Sequence, residues 1–220
     1  MFTARIFLEM RYEPSLLFLA NAMKFASTLQ KKYPRFNTNL MATSFDLGEG
    51  SSITAEPNRM LVVLNLDQAT VTRCNELAGE LRHTWQSTVD RELPTFTRVG
   101  FRVLTAFPSE MTRQELIDVY SAHLFGQDFH KTKDNADFAV NFEQLDGIDG
   151  HRLVLGIMNY AELLQRWGFD EDSVEEAGSF FTTDFDYGSS KVSSNGVDHH
   201  ILLLWNEIQK QNAELGKWIG

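Results

Sequence analysis

Two segments with strict period-two alternation, residues 2–12 and 94–107, constrain the fold of this chain more than any other feature. In the second segment the odd positions from 99 to 103 are apolar, whereas Arg98 and Arg102 occupy even positions. Successive side chains of a strand point to opposite faces, so each segment is predicted to be a strand with one face on a core. Arginines on the other face require water or acidic partners, because an unpaired charge is costly to bury.

The segments that follow the first strand predict the order β-α-β-β-β-α for the first half. Pro14 and Ser15 end the strand, and apolar residues at helical spacing predict a helix to about residue 33. A second helix, for which Asp67 is a candidate cap, is predicted to run to about residue 90. Three extended pieces are predicted between the two helices, at residues 39–47, 53–56 and 59–66.

The second half is predicted to have the same order, starting from the strand at 94–107. Thr112 and Glu115 have the spacing of a capping box at the start of a helix. Residues 161–169 fit either a helical turn or irregular chain, and the last helix is predicted to begin near Asp198. The other predicted segments are a polar loop at 126–135, strands at 138–143, 151–160 and 179–187, an acidic loop at 170–176 and a mobile Ser- and Gly-rich stretch at 188–196.

The element order predicts an α+β fold made of two β-α-β-β-β-α units, residues 1–93 and 94–220. Amphipathic helices beside mostly antiparallel strands predict sheets with the helices packed on one face. Only the element order and a Pro-Ser pair after each first strand recur, so we predict a structural pseudo-repeat without a sequence repeat. The short connection between the units favours one compact domain.

The net charge of −10 is unevenly distributed along the chain. Residues 1–94 contain ten basic and ten acidic side chains, whereas the remaining residues contain ten and twenty. A chain without a basic footprint is not expected to bind nucleic acid non-specifically. An acidic half is instead able to attract a basic protein or a cation, the alternative being a surface that serves solubility.

Cysteine usage and hydropathy favour a cytoplasmic protein without a membrane segment. Cys74 is the single cysteine, which excludes an internal disulfide and fits a reducing compartment. We find no secretory leader and no apolar run near the length of about 20 residues that a membrane span needs. Because Cys74 falls on an apolar helical stripe, it is predicted to be a buried structural thiol rather than a nucleophile.

Charged residues of the two long strands form the first candidate binding site. The phosphate-binding glycine loop and the G-x-S-x-G elbow are both missing, so an enzyme is the less favoured class and no cofactor is expected. If the two strands are neighbours, Glu9 is predicted to pair with Arg102 across the sheet. If Arg11, Arg98 and Arg102 outnumber their acids, the surplus guanidinium groups are suited to bind an anion.

A second candidate site is a divalent-metal centre formed by Asp184, Asp186 and His200. The two aspartates share one face of a strand, and the histidine lies at the start of the following helix, so the three groups could meet. The alternative is a polar strand face followed by a helix that Asp198 caps. Glu80 and His83 have the spacing of half a di-iron site, but the second pair that this chemistry needs is not visible.

Several short motifs resemble a sporadically distributed family of uncharacterised bacterial proteins. These motifs are Phe7–Pro14, Lys32–Pro34 and Arg98–Val103. Members of that family open with an E-x-R-F/Y-x-P strand, carry a mid-chain R-x-G-L-R-Y-I-N strand and end in a helix after an acidic strand, as Thr183–Tyr187 and the last helix do here. Val103 and Thr105 stand where the family usually has Tyr and Asn. The resemblance implies an accessory role such as defence or toxin neutralisation.

Three functions remain open at the level of sequence. The favoured hypothesis is a non-catalytic protein that binds another macromolecule, such as a basic protein partner. The second is a small-ligand or anion-binding protein, including an enzyme, that uses the strand arginines. The third is a metal-dependent hydrolase built on the aspartates and the histidine of the candidate metal centre. A homodimer formed through an open sheet edge is compatible with each of them.

Overall fold

A computed structural model describes residues 1–39, 41–125, 139–146 and 149–217 of the chain. Within these residues the strands are β1 (Phe2–Tyr12), β2 (Phe36–Thr38), β3 (Thr43–Gly48), β4 (Ser51–Glu56), β5 (Arg59–Asn65), β6 (Phe96–Ser109), β7 (Ala139–Asp146), β8 (Asp149–Met158) and β9 (Ser179–Val192). The helices are α1 (Leu16–Gln30), α2 (Val71–Thr88), α3 (Arg113–Phe125), α4 (Tyr160–Trp167) and α5 (Val197–Gly216). The predicted loop at 126–135, Phe138 and the turn residues 147–148 lie outside the described ranges.

The nine described strands form one sheet in the order β2-β3-β4-β5-β1-β6-β9-β8-β7. Every neighbouring pair is antiparallel, which confirms the predicted α+β class. The two long alternating strands lie side by side at the centre, with Leu8 opposite Phe101 and Glu9 opposite Gly100. Each central strand also pairs with the last strand of its own half, β1 with β5 and β6 with β9.

Four helices, α1, α2, α3 and α5, cover one face of the sheet and enclose the main core. Ile6, Leu8 and Met10 of β1 and the odd residues of β6 from 99 to 103 point into this core and are fully buried, as predicted from their alternation. Phe2 and Ala4, which the same alternation placed on this face, belong instead to a second core on the opposite face, because the pairing of β1 with β6 shifts register between Thr3 and Arg5. Ser15 caps α1 by accepting a hydrogen bond from the Phe18 N–H at 3.1 Å. Trp85 of α2 and Phe18 of α1 stack in the core with their ring centroids 5.8 Å apart.

Helix α4 packs on the opposite face, which differs from the predicted placement of all helices on one face. Asn159 and Glu162 form a capping box at its start, so the ambiguous segment becomes a short helix. Leu163 and Trp167, one turn apart, then pack over Leu104 of β6 in a second, smaller core. The strand β2 in the first half and α4 in the second depart from the predicted order, and the two-unit pseudo-repeat stays a prediction.

The structure changes two of the predicted boundaries and confirms a third. The stretch predicted to be mobile at 188–196 instead extends β9 to Val192, which pairs with Phe96 at the start of β6. Thr70 rather than Asp67 caps α2, because residues 66–68 form a separate 3-10 turn. The capping box of Thr112 and Glu115 is confirmed, with backbone N–H donors at 2.7 and 3.3 Å from the partner side chains.

The outer strands of the described sheet are β2 and β7. The edge strand β2 has three residues, which leaves little backbone for pairing with another chain. The predicted homodimer through a sheet edge therefore stays a prediction. Among the described residues, no helix combines the length and apolarity required to cross a membrane.

Candidate functional site

The charged residues predicted from the two long strands gather on the sheet face opposite the four helices. They line a groove of about 360 Å³ beside the part of this face that α4 covers. Its lining residues are Phe7, Glu9, Arg11, Leu61, Arg98, Gly100, Arg102 and Asp186. The structure therefore brings together the residues of the first candidate site and adds one aspartate of the second.

Glu9 is the carboxylate at the centre of this groove, and three guanidinium groups surround it. Arg98 donates a hydrogen bond from Nη1 to Oε2 at 2.9 Å, and Nε of Arg11 forms an ion pair with the same oxygen at 2.9 Å. Arg59 lies 3.5 Å from Oε1 and also makes two hydrogen bonds of 2.8 Å to Glu56. The partner of Glu9 across the central pair is thus Arg98, and the predicted pairing with Arg102 is wrong.

Arg102 is held instead by Asp184 of β9 in a bidentate pair. Nε and Nη2 donate to the two carboxylate oxygens at 2.7 and 2.6 Å, a geometry in which both hydrogen bonds are strong. The hydrogen bond to Asp184 raises the pKa of Arg102. The guanidinium carbon also lies 5.4 Å from the ring centroid of Phe7. These contacts support a structural role for Arg102.

A row of glycines makes room for the guanidinium group of Arg98. Gly100 pairs with Gly188, which in turn pairs with Gly150 across β6, β9 and β8. A Cβ at position 100 would lie 2.6 Å from Nη1 of Arg98, and one at position 188 would lie 2.7 Å from Nη2. The bare backbone therefore lets Arg98 lie across the strands and reach Glu9. This close fit favours an internal ion pair over a site for an external anion.

The three residues of the predicted metal centre do not meet. Asp184 and Asp186 lie on the groove face, where Asp186 is 3.8 Å from Arg98. His200 belongs to α5, which packs on the other face of the sheet. Among the described residues, no group of three or more His, Cys, Asp or Glu side chains is placed to hold a metal ion.

The other candidate ligands serve to connect helices. Glu80 accepts hydrogen bonds from Lys32 at 2.8 Å and from the Tyr33 hydroxyl at 2.7 Å, which ties α2 to the end of α1. Asp198 accepts two hydrogen bonds from Arg82 at 2.5 and 2.6 Å, which ties α5 to α2. Gly196 rather than Asp198 is the residue before the first turn of α5.

Cys74 is expected to resist alkylation in the folded protein. Its side chain is fully buried between α2 and the core, and burial, together with the nearby charge of Asp198, raises its thiol pKa to about 12. Because the thiolate is the reactive form, iodoacetamide should modify Cys74 only after unfolding. Mass spectrometry before and after addition of denaturant measures this, and rapid labelling of the folded chain would contradict the buried structural role.

A further cavity lies at the other end of the sheet, where β1 begins and β6 ends. Its volume is about 690 Å³. Its large apolar lining residues are Phe2, Leu66, Val71, Val174, Phe180 and Trp205. Its charged lining residues are Asp67, Glu110, Glu175 and Glu176, and no Lys, Arg or His of the described ranges lines it.

A second cavity of about 600 Å³ adjoins the first and shares Leu66 and Asp67 with it. The remaining residues of its lining are Glu49, Gly50, Gly168, Phe169, Asp170 and Asp172. We call the two cavities together the acidic groove. Among the residues that the structure describes, seven different carboxylates and no basic side chain line it. A concave surface with charges of a single sign concentrates the local field.

The backbone between the two cavities is fixed by Asn65, the last residue of β5. Its backbone N–H donates to the Ser51 hydroxyl at 2.9 Å, and its side-chain amide donates to the Glu49 carbonyl at 3.0 Å. The next residue, Leu66, has a left-handed backbone with φ of 45°, which is costly for a side chain of this kind. This conformation places Leu66 and Asp67 where both cavities meet.

Arg5 and Tyr160 fix the backbone on the side of the acidic groove that residues 168–177 line. Arg5 donates from Nε to the Asn65 side chain at 2.5 Å and also donates to the Trp167 carbonyl, which joins β1 to the end of α4. Burial, and secondly the charge of Arg102, lowers the pKa of Arg5. The Tyr160 hydroxyl lies near two carbonyls of the acidic loop, at 2.6 Å from that of Glu171 and 3.2 Å from that of Val174.

Sequence reasoning identified one part of the acidic groove, the loop at 170–176, and missed the rest. The other carboxylates come from the β3–β4 turn, the 3-10 turn after β5 and the end of β6. These segments have no shared local pattern. The one available signal was the excess of acid in the second half of the chain.

Comparison with known proteins adds no constraint on this site. No protein-family model matches the sequence, and no curated protein matches it either. The resemblance to the bacterial family described above therefore stays a prediction.

Proposed function

We propose that this chain is a non-catalytic protein that binds a basic partner protein through the acidic groove. One observation carries the proposal, namely that the described lining of two adjoining cavities has seven carboxylates and no basic side chain. Opposite charges across an interface accelerate encounter and exclude wrongly charged partners. The groove therefore favours a segment rich in lysine or arginine.

The location of the carboxylates supports binding more than solubility alone. Glu110, Glu175 and Glu176 are exposed, and all three line the same concave surface although Glu110 is distant from the other two in sequence. Asp67 lies at the boundary of the two cavities and contributes its charge to both. Arg5 donates its hydrogen bonds to the Asn65 side chain and the Trp167 carbonyl and lines neither cavity. A basic segment in the groove would thus meet carboxylates along its whole length.

The strand arginines favour the same conclusion by weakening the alternative of an anion-binding protein. Arg11 and Arg98 contact Glu9, and Arg102 contacts Asp184. An anion would have to compete with carboxylates that are already held at hydrogen-bonding distance. An accessory protein that neutralises a basic toxin in the cytoplasm would fit both the groove and the family resemblance.

The proposal is tested by titrating the chain with a short lysine-rich peptide at low and high ionic strength. We expect binding that weakens as salt is added, and weak or no binding of the matching glutamate-rich peptide. The triple variant Glu110→Gln, Glu175→Gln, Glu176→Gln should raise the Kd for the lysine peptide by about tenfold or more. Isothermal titration calorimetry measures each affinity.

A matched triple variant away from the groove provides the control. Glu13→Gln, Glu92→Gln, Glu143→Gln removes the same charge from exposed positions that do not line the groove. It should leave the Kd within about twofold of the wild-type value, because distant surface charges are screened. Equal weakening by the two triple variants, or no binding of the lysine peptide at low ionic strength, would overturn the proposal.

A further inference from the structure

The two cavities of the acidic groove differ in the chemistry of their walls. The larger one has three aromatic residues in its lining, Phe2, Phe180 and Trp205, together with aliphatic side chains. The smaller one has four carboxylates beside only two large apolar residues, Leu66 and Phe169. A segment that is basic throughout would leave the apolar wall of the larger cavity without an apolar partner.

We infer that the larger cavity is a socket for one aromatic side chain of the partner, which basic residues flank in the sequence. This inference rests on the proposed function and specifies the partner segment. The volume of about 690 Å³ is within the usual range of about 300–1,000 Å³ for binding pockets and is ample for an indole ring. Burial of such a ring is a common source of affinity at protein interfaces.

The geometry of the socket favours an aromatic occupant. Phe2 and Phe180 meet edge to face, with centroids 6.3 Å apart and an angle of 85° between the rings. Phe180 also lies 6.4 Å from Tyr160 in a stacked arrangement. Phe180 is fully buried, so these contacts fix the orientation of Phe2 rather than offer the Phe180 ring to a ligand. The partly exposed rings of Phe2 and Trp205 are the aromatic surface of the socket that an added ring can contact by edge or face.

The carboxylates determine what stands beside the aromatic residue. Glu110, Glu175 and Glu176 share the lining of the socket with its aromatic wall. Lysine and arginine can lay their aliphatic stems on apolar surface while their charged ends reach a carboxylate. Since Leu66 and Asp67 belong to both cavities, a single extended segment can place its ring in the socket and a basic side chain in the smaller cavity.

Four peptides of equal length separate the inference from the proposed function. Each has either lysine or glutamate at the charged positions and either tryptophan or glycine at the centre. The lysine–tryptophan peptide should bind tightest, and replacing its tryptophan by glycine should raise the Kd by about tenfold or more. Calorimetric titration of the wild-type chain with all four peptides gives the complete comparison.

A variant that fills the socket tests the location. Ala177 lines the larger cavity and is partly exposed, so Ala177→Phe should occupy the space without entering the fully buried core. It should abolish the preference for tryptophan over glycine and keep the preference for lysine over glutamate. Trp205→Leu, which removes one aromatic wall, should reduce the same preference, and thermal unfolding verifies that both variants are folded.

The outcomes distinguish the two claims. Equal affinity of the lysine–tryptophan and lysine–glycine peptides would overturn the socket and leave the proposed function standing. Failure of both lysine peptides to bind would overturn both claims. If the glutamate–tryptophan peptide bound as tightly as the lysine–tryptophan peptide, the basic partner would be wrong and the socket would remain. A tryptophan preference unaffected by both variants would overturn the assignment to this cavity.

Discussion

Replacement of Trp85 by alanine is expected to lower the free energy of unfolding by about 3–5 kcal/mol, the range for a large aromatic residue in a core. The side chain is 2% exposed and stacks on Phe18 with a centroid distance of 5.8 Å. It also makes an edge-to-face contact with Tyr12, with ring centroids 5.1 Å apart, and donates its indole N–H to the Glu92 carbonyl at 3.1 Å. One side chain thus joins α1, α2, β1 and the connection that precedes β6.

Chemical denaturation with urea measures this effect, and two further variants define its origin. Trp85→Phe keeps much of the ring contact but removes the indole donor, so a smaller loss of about 1–2 kcal/mol is expected. Phe142→Ala removes an aromatic ring that is 48% exposed on β7 and should change stability by about 0.5 kcal/mol or less. A Trp85→Ala variant as stable as Phe142→Ala would show that the described packing does not stabilise the core.

Asn212→Ala is expected to lower the free energy of unfolding by about 2–4 kcal/mol, since it leaves two buried hydroxyl groups without their partner. Asn212 on α5 is fully buried and accepts a hydrogen bond from Thr183 of β9 at 2.8 Å. Its amide donates to Thr105 of β6 at 3.0 Å. This polar bridge fixes α5 over two central strands, because apolar contacts alone would allow the helix to slide. Urea denaturation of the variant measures the cost.

Asn212→Asp should make stability depend on pH in a direction that burial determines. A neutral carboxyl group can replace both hydrogen bonds, whereas burial disfavours the ionised form and raises the pKa of the introduced group. In the unfolded chain the group ionises near pH 3.9. Relative to the wild type, the free energy of unfolding of the variant is therefore highest in acid. This difference falls as pH rises above about 4, by up to about 1.4 kcal/mol per pH unit until the folded-state pKa is reached.

Asn206 provides the matched control because it lies on the same helix and is exposed. Asn206→Ala and Asn206→Asp should alter stability by about 0.5 kcal/mol or less and should add no comparable pH dependence. Urea denaturation across the acidic and neutral range separates the two positions. If Asn212→Asp followed the pH dependence of the wild type, the buried bridge would not exist in solution.

Much of the fold could be predicted because single segments carried its signals. The alternation of β6 and of β1 from Ile6 onward revealed which side chains face the main core, and Pro14 with Ser15 marked the start of α1. Residues 161–169 stayed open between a helical turn and irregular chain, because the helix they form is only about two turns long. Residues 188–192 were misassigned because their strand structure comes from pairing with β6, which local composition does not encode.

The groove around Glu9 was easier to predict than the acidic groove. Glu9, Arg98 and Arg102 stand on alternating strand positions, so their common face followed from period two. Their pairing did not follow, because Asp184 arrives from a strand that is distant in sequence and takes Arg102 away from Glu9. The acidic groove is assembled from separate turns and loops, and no pairwise spacing could foretell that they meet.

The central position of β1 and β6 in the sheet also has a consequence for aggregation during synthesis. While the first half is emerging from the ribosome, β1 can pair with β5, but its other edge has no partner until β6 is made. Elongation at about 5–20 residues per second leaves this edge open for several seconds. An open edge is a template for pairing with other chains. The length of chain between β5 and β6 thus sets how long this edge of β1 stays open.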